Sequence, residues 1–395
     1  MAHAPLRPDK EQRPRKKRSF ERLMMWVTAV SFMVVLTLVG LGTVLKQDRV
    51  MSQLENRSLA KLTTPTTATV VNGTYMGELE KYFTDQLLLR GTLVETQARL
   101  SKNVFRQPFR NGIYTAPNGY MIESSQAQVT PIPDGFKKFV KAVDRPVYMA
   151  LAPSKTVVAE QNGILPAYVA SNTTVRYKKM IEGFDQAGMT NISLDQLKLS
   201  DYFKTDHHWN VDGAYYAYQQ IVRQLQADKV SIKEVPVASS ARKVSEHEYY
   251  GSLARKTTLA YATAGDTLAY YGASQFDGID VCYDNTCRQP IIDESYIKEA
   301  GDYADRYEVF LRGNHGIMSM HSDVKGPKLL VLKDSFANPV LPFLARSANL
   351  EVVDIRYVNA TFDVSAFAKQ QQVDGVLFLH NSNITGLMKT YQQKL

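Results

Sequence analysis

Cysteine is scarce in this chain of 395 residues, which contains only Cys282 and Cys287. Two cysteines exclude a disulfide-rich scaffold, and their four-residue spacing without a second pair argues against a zinc site. Asp284 and Asn285 lie between them and favour a turn, which would bring the thiols face to face across a hairpin. Outside the cytoplasm a disulfide would then close this hairpin, and two free thiols are the alternative.

Long hydrophobic runs are also scarce, because a single uncharged stretch, residues 23–45, is long enough to cross a bilayer. A membrane-spanning helix needs about 20 apolar residues. Trp26 near the start of the stretch and Lys46 after its end suit the two membrane interfaces. We therefore predict one transmembrane helix over residues 23–45. A cleaved signal peptide is the alternative, but the run is long for one and no small-residue cleavage site follows Leu45.

The excess of positive charge is concentrated before this stretch. Residues 1–22 contain eight Lys or Arg and three Asp or Glu, so they carry +5 of the formal net charge of +8. A basic flank of this kind stays on the cytoplasmic side of the membrane. The pattern predicts a cytoplasmic tail over residues 1–22 and places residues 47–395 outside the cytoplasm, at the cell membrane. It gives little support to a nucleic-acid partner.

Beyond the predicted anchor, the chain shows no internal repeat and no long low-complexity tract. We interpret residues 46–73 as a polar stalk and residues 74–395 as one extracytoplasmic domain, which begins with a helix over residues 74–102. Residues 229–325 are rich in Tyr, Gly and Thr, and we interpret them as a β-rich insertion or lid. On either side of them, short apolar strands alternate with helices. This alternation predicts a three-layer α/β fold with a mostly parallel sheet.

Ser335 is the first candidate for chemistry, because it follows the apolar run at residues 329–332 and precedes a helix-like segment. A serine hydroxyl becomes a good nucleophile only when a neighbouring base removes its proton. Backbone N–H groups at such a strand-to-helix turn can receive the negative charge that develops on an attacked carbonyl oxygen. A surface serine that caps the next helix is the alternative.

The run from Thr205 to Asn210, which contains Asp206, His207 and His208, supplies a candidate base. Asp206 and His208 are two positions apart, so in an extended connection their side chains point to the same side. Asp206 can orient the imidazole while His208 takes the proton of Ser335, as in a Ser-His-Asp acyl-transfer site. A histidine pair that caps the following helix is one alternative. A metal site is disfavoured, although it could draw further ligands from among His315, His321 and His380, because adjacent histidines project to different sides and no His-x-x-x-His pair is present.

Other polar residues are predicted to join this site. Lys155 and Asn381 each follow an apolar strand, and the carboxyl ends of parallel strands meet at one edge of a sheet. The amide of Asn381 is a candidate oxyanion donor. Asn314 and His315 are candidates for a loop that lines the site, and Tyr250 is a candidate for stacking on a sugar ring. An ordinary structural role is the alternative for each of them.

The segment Thr205-Asp206-His207-His208-Trp209-Asn210, with Gly213-Ala214, resembles the signature of the DHHW protein family. That family is similar to the SGNH-like proteins of bacterial exopolysaccharide O-acetylation, including the periplasmic alginate acetylation proteins. The resemblance extends over about residues 51–385, through Glu55-Asn56-Arg57-Ser58-Leu59, Tyr82-Phe83-x-Asp85-Gln86 with Arg90, Ala152-Pro153-Ser154-Lys155 and Lys333-Asp334-Ser335-Phe336-Ala337-Asn338.

The resemblance implies a circularly permuted SGNH-like fold, with Asp206, His208 and Ser335 as the triad. It places Asn381 where an SGNH oxyanion asparagine would stand. The alginate relatives carry another residue at the position of His207, so the choice of His208 rests on the Asp-x-His spacing. The block glycine of SGNH enzymes has no clear counterpart in this chain.

Together, the triad and the resemblance predict an extracytoplasmic O-acyltransferase, most simply an acetyltransferase, that modifies a polysaccharide through an acyl-serine. A single anchor cannot carry acetyl groups across a bilayer, so the resemblance also implies a polytopic membrane acyltransferase partner that supplies them. No metal, nucleotide or other cofactor is expected. One alternative is a carbohydrate acetylesterase that uses the same triad. The other is a non-catalytic glycan-binding scaffold of a cell-envelope assembly.

Overall fold

The computed structural model describes residues 15–52, 57–125, 130–170 and 172–395. The beginning of the predicted cytoplasmic tail and the Glu55-Asn56 part of the family resemblance lie outside these residues. The chain divides into two compact units, Met1–Val94 and Glu95–Leu395. The fold of the second unit positions the candidate site.

The first unit contains a long N-terminal helix, whose segment Ser19–Leu45 is long and apolar enough to be a membrane span or a signal sequence. Its other elements are two short paired strands and the helices that follow them. The elements are α1 (Arg15–Leu45), β1 (Met51–Ser52), β2 (Arg57–Ser58), α2 (Thr67–Val71), α3 (Thr74–Gln86) and α4 (Arg90–Asn103), the last of which continues into the second unit. The single helix predicted over residues 74–102 is therefore two helices. The helical conformation is interrupted between them at Leu89, whose φ of 60° lies in the left-handed region.

Buried polar side chains of α3 hold the segment that follows the long helix. The Gln86 amide accepts a hydrogen bond from the Arg49 N–H at 3.0 Å and donates to the carbonyls of Arg49 at 2.9 Å and Ala60 at 3.1 Å. The Asp85 carboxylate accepts from the N–H of Ala60 at 2.9 Å. The Tyr82 hydroxyl donates to Asp48 at 2.7 Å. These bonds give a structural reason for the polar residues in the Tyr82-to-Gln86 segment.

The second unit contains twelve strands and eight further α-helices among its described residues. The strands are β3 (Phe109–Arg110), β4 (Ile113–Thr115), β5 (Met121–Glu123), β6 (Val147–Ala152), β7 (Thr190–Asn191), β8 (Arg242–Val244), β9 (Ala269–Tyr271), β10 (Asp280–Tyr283), β11 (Ile317–His321), β12 (Lys328–Lys333), β13 (Asn349–Val353) and β14 (Gly375–Asn381). The helices are α5 (Asp134–Val143), α6 (Lys155–Gln161), α7 (Thr173–Gln186), α8 (Val211–Ala227), α9 (Ser252–Thr257), α10 (Leu341–Leu344), α11 (Val364–Gln370) and α12 (Met388–Lys394).

Seven of these strands form the main sheet, in the order β10-β11-β13-β12-β14-β6-β7. The five strands from β13 to β7 run parallel to one another. At one edge of the sheet, β11 is antiparallel to β13, and β10 is antiparallel to β11. The predicted α/β fold with a mostly parallel sheet is confirmed. Because β12, β14 and β6 are parallel neighbours, the turns after Lys333, Asn381 and Ala152 lie side by side at the carboxyl ends of these strands.

The core lies on both faces of this sheet, because successive side chains of a strand point to opposite sides. On β6, Val147, Met149 and Leu151 join a core with α5, α7, α11 and α12. The alternate residues of β6 join a second core with α8 and with parts of residues 229–325. A sheet buried on both faces explains why its central strands are almost continuously apolar.

Residues 229–325 are attached to the main sheet through β10 and β11, which form its antiparallel edge. A disulfide joins Cys282 and Cys287 across a hairpin that extends from β10. The two residues at the tip, Asp284 and Asn285, have φ values of 44° and 73°. Left-handed backbone at both positions is typical of a two-residue hairpin turn, and Asp and Asn tolerate it well.

Candidate active site

The turn that carries Ser335 is built at the end of β12. Asp334 accepts a hydrogen bond from the Phe336 N–H at 2.9 Å, and the turn continues as a short 3-10 helix over Ser335–Ala337. The N–H groups of Phe336, Ala337 and Asn338 are all used inside this turn. The N–H of Ser335 is therefore the backbone group that we consider as an oxyanion donor.

Asp334 also joins this turn to the neighbouring strand, because its second oxygen accepts from the Asn381 N–H at 3.0 Å. Burial works against the charged form of Asp334. The nearby His380 imidazole and the two N–H donors outweigh it and hold the pKa of this carboxyl well below its usual value. An ionised Asp334 therefore keeps the ends of β12 and β14 in register beside the serine.

The loop that carries Asp206 and His208 is held by a second buried carboxylate, Asp266. It accepts hydrogen bonds from the N–H of Lys204 at 2.6 Å, from the N–H of Thr205 at 2.7 Å and from the Thr205 hydroxyl at 2.5 Å. After the loop, the Trp209 indole N–H donates to the Phe336 carbonyl at 2.8 Å, which ties the loop to the serine turn.

These elements bring Asp206, His208 and Ser335 into one line of hydrogen bonds. His208 Nδ1 lies 2.7 Å from Asp206 Oδ1, and His208 Nε2 lies 2.7 Å from Ser335 Oγ. Asp206 and His208 are buried, and Ser335 is partly exposed at the edge of the sheet. This is the geometry in which an imidazole can take the proton of a serine while a carboxylate stabilises its charged form.

The Asp206 carboxylate has four hydrogen bonds from the protein. Oδ1 accepts from the N–H of His208 at 2.9 Å as well as from its imidazole, and Oδ2 accepts from the Tyr249 hydroxyl at 2.9 Å and the Ser252 N–H at 2.7 Å. Burial opposes its ionisation. The imidazoles of His208 and His207 and these donors prevail and hold the pKa of Asp206 well below its usual value.

His207 contacts the same cluster. Its ring lies 3.8 Å from that of His208 between centroids, and its Nδ1 lies 2.7 Å from Ser252 Oγ and 3.3 Å from Asp206 Oδ1. Burial and the neighbouring His208 lower the pKa of His207 to about 4, so it is neutral near pH 7. The contact with Ser335 Oγ is made by His208, as the Asp-x-His spacing predicts.

Asp206, His207 and His208 offer ligand atoms within 4.8 Å of one another, as a metal site would. However, both ring nitrogens of His208 already have partners, since Nδ1 lies 2.7 Å from Asp206 Oδ1 and Nε2 lies 2.7 Å from Ser335 Oγ. An imidazole whose two nitrogens are both hydrogen-bonded has no lone pair left for a cation.

Lys155 contacts the loop that carries Asp206 and His208 and is almost fully buried. Its ammonium group donates to three backbone carbonyls of this loop, those of Phe203 at 2.9 Å, Lys204 at 3.0 Å and Asp206 at 2.5 Å. Three carbonyls use all three of its N–H donors. Its contacts therefore support the loop that carries Asp206, rather than a substrate group.

Lys155→Met should destabilise the protein and slow acylation at Ser335, because three buried carbonyls lose their donor. Each unsatisfied buried group costs about 1–3 kcal/mol, so a loss of several kcal/mol in the free energy of unfolding is expected. Thermal unfolding and a kinetic assay with a chromogenic acetyl ester would measure the two effects. Unchanged stability and unchanged rate would contradict this role.

The pH dependence of the same lysine gives a second test. Burial lowers the pKa of Lys155 from 10.5 to about 8, so above about pH 8 the folded chain holds a neutral amine with only two donors for three carbonyls. The acylation rate should fall on this alkaline side. The unfolded amine keeps its proton up to pH 10.5, so this group makes the free energy of unfolding rise with pH between these values. Lys155→Met, if it folds, should remove both effects.

Asn381, at the end of β14, lies near the cluster. It lines a small cavity of about 10 Å³ together with Ser154, Lys155 and His207. Its side-chain oxygen accepts from the Asn383 N–H at 2.9 Å, which caps the following turn. The residue therefore lies at the strand end predicted for it, and its side-chain oxygen is used in a hydrogen bond that holds the following turn.

Asn314, His315 and Tyr250 make their contacts elsewhere. Asn314 accepts from the buried Lys333 ammonium at 2.8 Å, and the His315 Nε2 lies 2.9 Å from the carbonyl of Leu311 while its ring stacks on Tyr283. The Tyr250 hydroxyl donates to Glu248 at 2.7 Å. Among the described residues, no hydrogen bond links these three to Asp206, His208 or Ser335.

Three residues of the insertion contact the triad, and sequence analysis did not assign any of them to it. Tyr249 and Ser252 bond to Asp206, and Tyr307 stacks on His208 and donates from its hydroxyl to the Ser335 carbonyl at 3.0 Å. The abundance of tyrosine in this segment was the only signal. It does not distinguish one tyrosine from the next.

Comparison with known proteins confirms the predicted family resemblance. The family model described as DHHW protein matches residues 159–355, which include Asp206, His208 and Ser335. No curated protein is similar enough in sequence to be matched to this chain.

Three solved structures are similar to this chain. Bacillus cereus PatB1 with a sulfonyl adduct is 22% identical, covers 72% of this chain and 98% of its own, and has a TM-score of 0.56. A DHHW family protein from Eubacterium siraeum is 19% identical, covers 73% of this chain and 97% of its own, and has a TM-score of 0.54. Both share the fold of this chain. The O-acetyltransferase domain of Pseudomonas putida AlgJ is 12% identical, covers 71% of this chain and 98% of its own, and has a TM-score of 0.40.

Proposed function

We propose that this chain, whose residues 159–355 belong to the DHHW protein family, is an O-acyltransferase that forms an acyl-enzyme on Ser335. The observation that carries the proposal is the line of hydrogen bonds from Asp206 through His208 to Ser335, with 2.7 Å at both steps. The three residues come from two segments more than a hundred positions apart. A serine that only caps a turn has no need of an imidazole and a buried carboxylate behind it.

In the first half of the reaction, Ser335 Oγ attacks the carbonyl carbon of an acyl ester and His208 Nε2 takes the serine proton. The ionised Asp206 stabilises the imidazolium, and the N–H of Ser335 and the amide of Asn381 are our candidates for the oxyanion donors. The tetrahedral intermediate then breaks its bond to the leaving oxygen, which receives the proton from His208. The acyl group remains on Ser335.

In the second half, a hydroxyl group of the acceptor attacks the acyl-serine and gives its proton to His208. Collapse of this intermediate returns that proton to Ser335 Oγ and leaves the acyl group as an ester on the acceptor. With a sugar hydroxyl the enzyme is a transferase, and with water it is an esterase. We propose a polysaccharide as the acceptor and acetyl as the acyl group.

The proposal includes a location and a partner. The segment Ser19–Leu45 would anchor the chain in the cell membrane, with the basic tail in the cytoplasm and the triad outside. A single span cannot itself carry acetyl groups across the bilayer. We therefore propose a polytopic membrane acyltransferase as the partner that supplies them.

The test is to incubate the full-length chain, purified in detergent, with a chromogenic acetyl ester and to map the acetyl adduct by mass spectrometry. The adduct should lie on the peptide that contains Ser335. A sulfonyl fluoride should block the same residue, because such reagents react with activated serine hydroxyls. An adduct on a peptide without Ser335 would refute the nucleophile.

Addition of an oligosaccharide acceptor to the acetylated chain then separates the two outcomes. Transfer of the acetyl group to the sugar supports the transferase. Release of free acetate at the same rate with and without the sugar supports the esterase.

A further inference from the structure

Tyr307 contacts both partners of the proton transfer, although it belongs to the insertion. Its ring is stacked on the His208 imidazole, with centroids 4.0 Å apart and an angle of 11° between the planes. Its hydroxyl donates to the backbone carbonyl of Ser335 at 3.0 Å. One side chain therefore fixes the plane of the base and the backbone of the nucleophile at the same time.

The tyrosine ring is itself firmly held. Only 5% of the residue is exposed, and its ring makes edge contacts with Phe203 at 6.4 Å and with Phe310 at 5.5 Å. Burial raises the pKa of Tyr307 well above its usual value, so the hydroxyl keeps its proton and remains a donor. A ring packed in this way cannot turn away from the imidazole without disturbing its neighbours.

The His208 imidazole has two rings close to it, those of Tyr307 and His207, whose centroids lie 4.0 Å and 3.8 Å from its own. Its two nitrogens are bonded to Asp206 and Ser335, so the hydrogen bonds act in the plane of the imidazole. The stacked Tyr307 ring acts perpendicular to that plane. Rotation of the imidazole would lengthen the distance from Nε2 to Ser335 Oγ.

The imidazole becomes positively charged when it takes the serine proton. The π face of a tyrosine attracts a cation that lies within about 6 Å of the ring centroid. An attraction that grows as the charge develops lowers the barrier to acylation more than it favours the resting state.

We propose that Tyr307 is a positioning residue for the proposed acyl transfer, whose ring holds the His208 imidazole in the orientation that accepts the proton of Ser335. The inference rests on the proposed function. It predicts an effect on the rate of acylation and little effect on the binding of the ester.

The test compares variants of the full-length chain in detergent with the chromogenic acetyl ester as substrate. Tyr307→Leu and Tyr307→Met remove the ring, and Tyr307→Phe keeps the ring but loses the hydroxyl. Loss of the ring should lower the kcat of acylation about tenfold at unchanged KM. The phenylalanine variant should remain within about threefold of the wild type. Two ring-less variants are used so that one that fails to fold does not end the test.

Tyr283 provides a matched control, because it is also buried, also stacked on a histidine and also bonded to a backbone carbonyl. Its ring lies 4.2 Å from that of His315 at an angle of 8°, and its hydroxyl donates to the Pro290 carbonyl at 2.6 Å. Tyr283→Leu should lower the midpoint of thermal unfolding, and the kcat of acylation should stay near that of the wild type.

Several outcomes would overturn the inference. They are a folded ring-less variant of Tyr307 that is acylated as fast as the wild type, a Tyr307→Phe variant as slow as Tyr307→Leu, and an equal loss of kcat in Tyr283→Leu. If the wild-type chain acquires no acetyl group on Ser335, the proposed function itself fails. If it is acylated and only the tyrosine variants behave differently from expectation, the proposed function stands.

Discussion

Ser335→Ala is expected to abolish the acetyl adduct and to reduce turnover of a chromogenic acetyl ester by roughly 10³-fold or more. The physical reason is that the hydroxyl bonded to His208 Nε2 at 2.7 Å is the group that receives the acyl group in the proposed mechanism. The fold should not change, because the turn is held by Asp334 and by the Trp209 indole rather than by the Ser335 hydroxyl. Mass spectrometry of the intact chain would measure the adduct, and a thermal unfolding curve would show whether the fold is unchanged.

The matched control for this variant is Ser193→Ala. Ser193 is an exposed serine whose hydroxyl bonds to the carboxylate of Asp195 at 3.0 Å instead of to an imidazole. Its removal should leave the adduct on Ser335 and the turnover unchanged. If the Ser335→Ala chain still acquires an acetyl group at the wild-type rate, the assignment of the nucleophile is wrong. Unchanged acetylation of the native glycan in cells with this variant would remove the catalytic role altogether.

Asp206→Asn has the second large expected effect. The amide keeps the size of the carboxylate, but it has one acceptor oxygen where the carboxylate has two. The carboxylate oxygens accept four hydrogen bonds, two of which come from the imidazole and the N–H of His208. The amide cannot stabilise an imidazolium, and its NH₂ group favours the wrong tautomer of the imidazole. The rate of acylation should fall by roughly 10³–10⁴-fold, as it does when the carboxylate of a Ser-His-Asp triad is replaced by an amide.

Asp266→Asn separates this chemical effect from a general loosening of the loop. Asp266 is also buried and holds the backbone of Lys204 and Thr205, but its oxygens bond to these residues and not to an imidazole. Its replacement should lower thermal stability at least as much as Asp206→Asn does, with a much smaller loss of rate. Equal losses of rate in the two variants, each in proportion to lost stability, would argue against a chemical role for Asp206.

The structure also changes how the additional polar residues are understood. Lys155 and Asn314 follow the sequence logic of site residues, yet their side chains bond to the loops that build the site. Buried polar groups need partners, and a loop that carries a charged triad has many carbonyls to satisfy. A polar residue after a buried strand is therefore as suited to supporting the site as to touching a substrate.

The sequence by itself determined the features that depend on local periodicity. An uncharged run of membrane length, the alternation of apolar strands with helices, the Asp-x-His spacing and a serine after a buried strand are all visible within short windows. These patterns were enough to predict the apolar N-terminal helix, the α/β class and the mostly parallel sheet. They also identified Asp206, His208 and Ser335 as candidates.

Only the tertiary structure decided which groups meet. The contact between His208 and Ser335 joins residues 127 positions apart, and Tyr249, Ser252 and Tyr307 reach the triad from the insertion. Contacts at such separations depend on the order of strands in the sheet and on the packing of many side chains. No local pattern shows which of several tyrosines stacks on His208, because that choice is made by the packing around the imidazole.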